Sequence, residues 1–239
     1  MSGWQAKRFW TEVSTEPVDG GYRVLLDARP VRTPAKAALI LPTQAMAEAV
    51  AAEWRAVDKI VDPLRLPVTR AANAAIDKVK PQFAEVCDLI AAYGASDLLC
   101  YRAEAPAELT AAQAAAWDPM LDWAALRLGA RLIATRGVVP IAQPADSLAA
   151  LAAQVRACSH FQLTALHDLV GLSGSLVLGL AATTGEFTLE SLWRLSRFDE
   201  EWQSAQWGED EEASAVAQRK RDDFLRAGHF WKLSGPHRQ

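Results

Sequence analysis

At Thr43 the apolar residues of this chain change from strand spacing to helix spacing, and few other features limit the fold as much. Upstream, β-branched and aromatic residues lie in short runs between Gly, Pro and Asp clusters, which is the pattern of strands. The runs are FWTEV at 9–13, GYRVLLDARPVRTP at 21–34 and ALILP at 38–42. PVDGG reads as one turn and Asp27–Pro30 as another, so an antiparallel meander is expected. From Thr43, a residue suited to cap a helix, Met46, Ala49, Val50 and Trp54 recur with helical spacing up to Ala56.

The remainder is mostly helical. Residues 61–67 read as extended because of their prolines. Helices are expected from Thr69 to Val79 and from Pro81 to Gly94. Residues 96–106 read as a loop with a short strand or turn. Asp118 reads as a cap, Pro119 as the first helical residue and Gly129 as the stop. RLIATRGVVPI at 131–141 reads as a hairpin around Arg136–Gly137. Helices follow at 145–157, 160–171, 174–183, 189–207 and 210–227. Gly171, Ser175, Gly179 and Thr183 recur every four residues, a small-residue stripe for close helix contact. The expected class is α+β: an antiparallel β-rich N-terminal part, then a mainly α-helical C-terminal domain. The domains are expected at 1–105 and 106–239.

Composition excludes several function classes. A net charge of −4 and a pI near 5.6 lack the basic footprint of a nucleic-acid binder. The densest basic run, QRKR at 218–221, is followed at once by Asp222 and Asp223 and reads as a solvated helix face. Cys87, Cys100 and Cys158 form no C-x-x-C pair and read as buried thiols of a reducing compartment. The N-terminal residues have no apolar core of a secretory signal. The uncharged stretch 169–185 is short for a membrane span and reads as a buried helix. No P-loop, dinucleotide fingerprint or nucleophile elbow occurs. His160 and His167 are too far apart for one helical metal pair. No catalytic residue, metal ligand or cofactor is expected.

Residues 199–213, DEEWQSAQWGEDEEA, contain seven acids and two tryptophans. Glu209–Glu212 follow Gly208, where a new helix begins, and carboxylates there meet the positive end of the helix dipole. Asp199, Glu200 and Glu201 fall in mid-helix and need another account. Trp193, Glu200 and Trp207 are seven residues apart, nearly two turns each, so they are expected on one side of one helix. A lone carboxylate between two indoles is costly to bury. Three readings stay open: an internal arginine partner, a protein-contact surface with Trp anchors, or a catalytic acid.

Blocks along the chain are recognisable together: RFW (8–10), VLLDARPVRTP (24–34), AEAVAAEW (47–54), LPVTRAANAAID (66–77), DLLCYRAEAP (97–106), WDPMLDW (117–123) and DEEWQSAQWGED (199–210). The sequence resembles the assembly chaperone family of the F-type ATP synthase that holds the unassembled α subunit. The resemblance covers nearly the whole chain. It implies a protein that binds free α, shields its subunit interface from aggregation and yields it to β. It implies no ATPase activity, no cofactor, no membrane insertion, a monomer when free and a bacterial cytoplasmic location. Glu200, Trp207 and Asp210, with Trp193 and Glu201, are the expected partner contacts. Trp54 and Arg70 lie in shared blocks too and read as structural or contact-shaping. A small hydrolase or nucleotide-handling enzyme without a recognisable motif is the alternative, and a dimerisation module is a second.

Overall fold

The computed structural model describes residues 7–208 and 210–235. These gather into two compact units. One runs up to Phe83 and adds Ser159–Ala165 and the residues from His229 on; the other holds Ala84–Cys158 and Leu166–Gly228. The class is α+β, antiparallel strands first and helices after, as the pattern of the sequence implies.

In the first unit, β1 (Val13–Val18), β2 (Gly21–Leu26) and β3 (Arg29–Pro30) form an antiparallel sheet in the order β1-β2-β3. The register pairs Val13 with Leu26 and Val18 with Gly21, so the β1–β2 turn is the two-residue loop Asp19–Gly20. β1 therefore extends through Pro17 and Val18, which the sequence pattern placed in the turn. Asp-Gly is the dipeptide that favours the tight hairpin turns matching strand twist. At the next turn Asp27 takes a positive φ of 54°. Its carboxylate accepts from the backbone N–H groups of Thr11 (3.0 Å) and Glu12 (2.9 Å). Those bonds hold its pKa below the ordinary carboxylate value. Gly21 is required by close approach: a Cβ there would lie 2.2 Å from the Leu41 carbonyl oxygen. Tyr22 and Leu41 exchange two backbone bonds at that point.

α1 (Gln44–Arg55) packs on this sheet through buried Met46, Ala47, Val50 and Ala51. Thr43 caps it, accepting from Met46 N at 3.1 Å. α2 (Pro67–Ala74) starts two residues earlier than the sequence pattern implied, and the cap is not Thr69. Glu53 of α1 supplies it: its carboxylate accepts from Val68 N, Thr69 N and the Thr69 hydroxyl at 2.6, 2.9 and 2.6 Å. A tertiary contact replaced the local cap, so no local signal marks it. The helix passes into a wider π turn at Ala75–Val79. Between α1 and α2, Pro63–Arg65 form a 3₁₀ turn capped by Asp62, where an extended segment was expected.

The second unit is built around α7 (Leu176–Thr184), whose residues Leu176–Ala182 are all buried. α6 (His160–Ser173) precedes it, and its residues divide between the two units. The small-residue stripe is not continuous, because the turn at Gly174 separates the two helices. Gly179 alone of its glycines meets a close neighbour, since a Cβ there would lie 2.4 Å from a Val170 methyl. α3 (Phe83–Ala91) ends in a 3₁₀ turn, Ala92–Ser96, and α5 (Ala145–Arg156) runs as expected.

Two further segments of this unit differ from the sequence pattern. α4 (Ala107–Arg127) runs straight through Pro119, so Asp118 is not a cap. An interior proline costs about 3 kcal/mol, and the buried Trp117, Met120, Leu121 and Trp123 around it supply compensating packing. The second concerns residues 131–141, which form no hairpin: β5 (Thr135–Arg136) pairs in parallel with β4 (Tyr101–Arg102). Among the described residues no helix is long and apolar enough to cross a membrane.

Candidate protein-contact site

The acid and tryptophan segment lies in the second unit, and its foundation is the middle of α4. Trp117 is fully buried. The Arg102 guanidinium lies 4.9 Å from its ring centroid and donates to Asp118 at 2.6 Å and to the Leu99 carbonyl. The Trp117 indole N–H donates to the Leu195 carbonyl at 2.9 Å, and Phe198 meets the ring edge-on at 6.0 Å. One residue turn away, the buried Gln113 accepts from Ala103 N and donates to Asp199, both at 2.7 Å. The shared blocks at 97–106 and 117–123 are thus bonded directly through Arg102 and Asp118, and Gln113 bridges the first of them to Asp199 of the block at 199–210.

Asp97 completes the base of this network. It is fully buried and accepts from Leu99 N (3.1 Å) and Val177 N (3.0 Å), at the start of α7. Burial pushes its pKa up, and the backbone donors and the Ser175 side chain oppose that shift. Burial also pushes the Cys100 and Cys158 thiols up to about 12, which keeps them protonated and unreactive.

The helix expected at 189–207 is two helices, α8 (Leu189–Ser196) and α9 (Phe198–Trp207). Arg197 breaks them with φ −107° and ψ 12°. The seven-residue stripe is therefore lost, and its three members differ. Trp193 is 5% exposed and packs on Phe224 at 5.6 Å. Glu200 is half-exposed and paired with Arg197 at 2.7 Å. Trp207 is 81% exposed. Glu201 is exposed beside them.

α9 ends at Gly208, φ 92°, and α10 (Glu211–Leu233) follows. Asp210 caps α10, accepting from Glu212 N at 2.8 Å and Ala213 N at 3.1 Å. The acids at that helix start therefore have a structural role, except Glu209, which lies outside the described residues. α10 is tied to α8 by Arg221, which grips the Glu190 carboxylate at 2.9 and 2.5 Å. An open cleft of about 380 Å³ lies here, lined by Arg197, Asp210, Glu212, Ala213, Val216, Ala217 and Lys220. From Phe198 to Ala217 the chain has seven acids and no lysine or arginine.

Trp54 and Arg70 lie in the first unit. Trp54 is half-buried and meets Trp10 edge-on at 5.2 Å. Arg70 is exposed on α2 and makes no ion pair among the described residues. Gln113 and Arg197 escaped the sequence pattern. Gln113 is the one polar residue between Thr110 and Trp117. Such a position, four residues before a buried Trp, is a usable signal for a buried hydrogen-bonding side chain.

A family model described as ATP12 chaperone protein matches residues 7–125. The crystal structure of Atp12 from Paracoccus denitrificans is 49% identical, with 96% of this chain and 99% of that chain covered and a TM-score of 0.94. The Atu1473 protein of Agrobacterium tumefaciens is 42% identical, with 96% and 86% covered and a TM-score of 0.90. The mitochondrial protein atp12 of Schizosaccharomyces pombe is 23% identical over 222 residues, 88% of this chain and 76% of that protein. The class these matches define is that of a chaperone. The chain belongs to the ATP12 chaperone family, the ATP synthase assembly chaperones whose blocks its sequence resembles. The family model ends before α8, so kinship across the acid and tryptophan helices rests on the solved structures.

Proposed function

We propose that this chain binds the free α subunit of the F-type ATP synthase catalytic head, shields its subunit interface and releases it to the β subunit. The observation that supports this reading is the surface of α9. An 81% exposed indole stands in a segment of seven acids without a basic residue. An exposed indole gains by covering apolar area, and the carboxylates attract a basic partner and orient it. An unassembled subunit whose interface is apolar and basic fits both. Glu200, Glu201, Trp207 and Asp210 are the contact residues in this reading. Trp193, buried beneath them, shapes the site from below. The chain acts by binding, not by catalysis, as a monomer in the bacterial cytoplasm, and a population free of client leaves the α9 surface open. Co-expression with the α subunit of the same organism tests the reading. Capture of α that is lost when β is present is expected. No capture of an α subunit that stays soluble would overturn it.

A further inference from the structure

α9 buries none of its residues. Phe198 and Trp202 are only half-buried, so apolar packing holds it in part, and the polar contacts that fix its direction lie at its N-terminal end. Three contacts are found there: the Phe198 ring against Trp117, the 2.7 Å pair of Glu200 with Arg197, which is local to the chain and ties α9 to no other element, and the 2.7 Å bond from Gln113 to Asp199. The ring contact is edge-on at 6.0 Å, a geometry that tolerates sliding. The Gln113 bond does not. Its amide is 1% exposed, and its oxygen is fixed by Ala103 N at 2.7 Å. With the oxygen committed, the amide nitrogen can point only one way, and it meets Asp199.

We infer that Gln113 is a positioning residue for partner binding: it clamps the first turn of α9 and so sets where Glu200 and Trp207 stand. It touches no partner itself. The inference rests on the proposed role of α9 in holding a client, and its test separates the two.

The perturbation is Gln113→Glu, which keeps the bond from Ala103 N but sets a carboxylate against Asp199. Gln113→Glu with Asp199→Asn restores a donor and acceptor pair with the roles exchanged. Asp199→Ala, at a half-buried position, removes the acceptor with little risk to the fold. Hydrogen exchange on the free protein is the first readout. A charge-assisted bond of this kind accounts for about a tenfold change. Exchange of the amides of residues 198–207 is expected to quicken about tenfold in Gln113→Glu and Asp199→Ala. Amides of residues 107–127 should stay unchanged, and the double variant should return to wild type. The second readout is capture of the α subunit, with a roughly fivefold to tenfold weaker Kd in the single variants and recovery in the double variant. In a Trp207→Ala background the Gln113 effect should shrink to the part that runs through Glu200, because it acts through α9; a merely structural role would add independently.

Unchanged exchange in residues 198–207 would overturn the clamp without reference to any client. Quickened exchange with unaltered affinity would overturn its role in binding. Failure of the wild-type chain to capture α would instead overturn the proposed function and leave the exchange result standing.

Discussion

Trp207→Ala is expected to weaken partner binding severely while leaving the fold intact. A tryptophan presents about 150–250 Å². At 81% exposure most of that area, on the order of 150 Å², is open to a partner. At about 25 cal/mol per Å², covering it contributes at most about 4 kcal/mol. Interface anchors typically cost 2 kcal/mol or more on truncation, so a loss of about 30-fold in affinity is expected. Stability should move by no more than about 0.5 kcal/mol, as for other exposed substitutions. Trp193→Ala is the internal control. That indole is 5% exposed against Phe224, and its loss should cost about 3–5 kcal/mol of stability. Thermal melts by circular dichroism and titration of labelled chain with free α subunit report the two quantities separately. A Trp207→Ala variant that melts several degrees lower would show that the indole is packed in solution. One that binds within threefold of wild type would refute the anchor role.

Three further outcomes follow from single contacts. Glu200→Lys sets a cation beside Arg197 in place of a half-exposed pair worth about 0–1 kcal/mol; melting should shift little, while α capture falls about tenfold or more, and unfolding would instead mark the pair as structural. Glu53→Ala strips the acceptor from three donors at the start of α2, and urea unfolding should register a loss of about 1–3 kcal/mol; an unchanged midpoint would show that water replaces the cap. Burial raises the Asp97 pKa above 3.8, so across the window from 3.8 to the folded value the folded chain holds a proton that the unfolded chain has lost. The Asp97 contribution is therefore full below that window and falls as pH rises through it. The stability difference between wild type and Asp97→Ala should shrink along the same path, and a flat difference would contradict the assignment.

The parts of the fold legible in the sequence are those decided by neighbours in the chain. Asp19–Gly20 and Thr43 are examples: a turn dipeptide and a cap act within three residues of themselves. The errors share the opposite property. Glu53 caps a helix fifteen residues away. Pro119 is tolerated because Trp117 and its neighbours are buried by other elements. Thr135 pairs with Tyr101 and not across a local turn. Each outcome was settled by a distant segment that periodicity does not register.

The candidate site was half legible for the same reason. The acids and tryptophans of 199–213 stand out in composition, but their stripe assumed an unbroken helix. The break at Arg197 changes the chemistry, not only the outline. An unbroken helix would have set Glu200 between two indoles, where a carboxylate is costly and needs rescue. The observed break separates the demands. Trp193 turns inward to Phe224, Arg197 becomes the partner of Glu200, and Trp207 is carried outward on a helix with no fully buried residue. Arg197 also lies 5.9 Å from the Trp193 ring, so the same side chain spans the buried indole and the exposed acid. A half-exposed pair of this strength yields readily to an incoming cation, and a carboxylate held this way is both kept in place and left available. That combination suits the proposed role, in which a basic client surface is held firmly enough to be protected and weakly enough to be handed on.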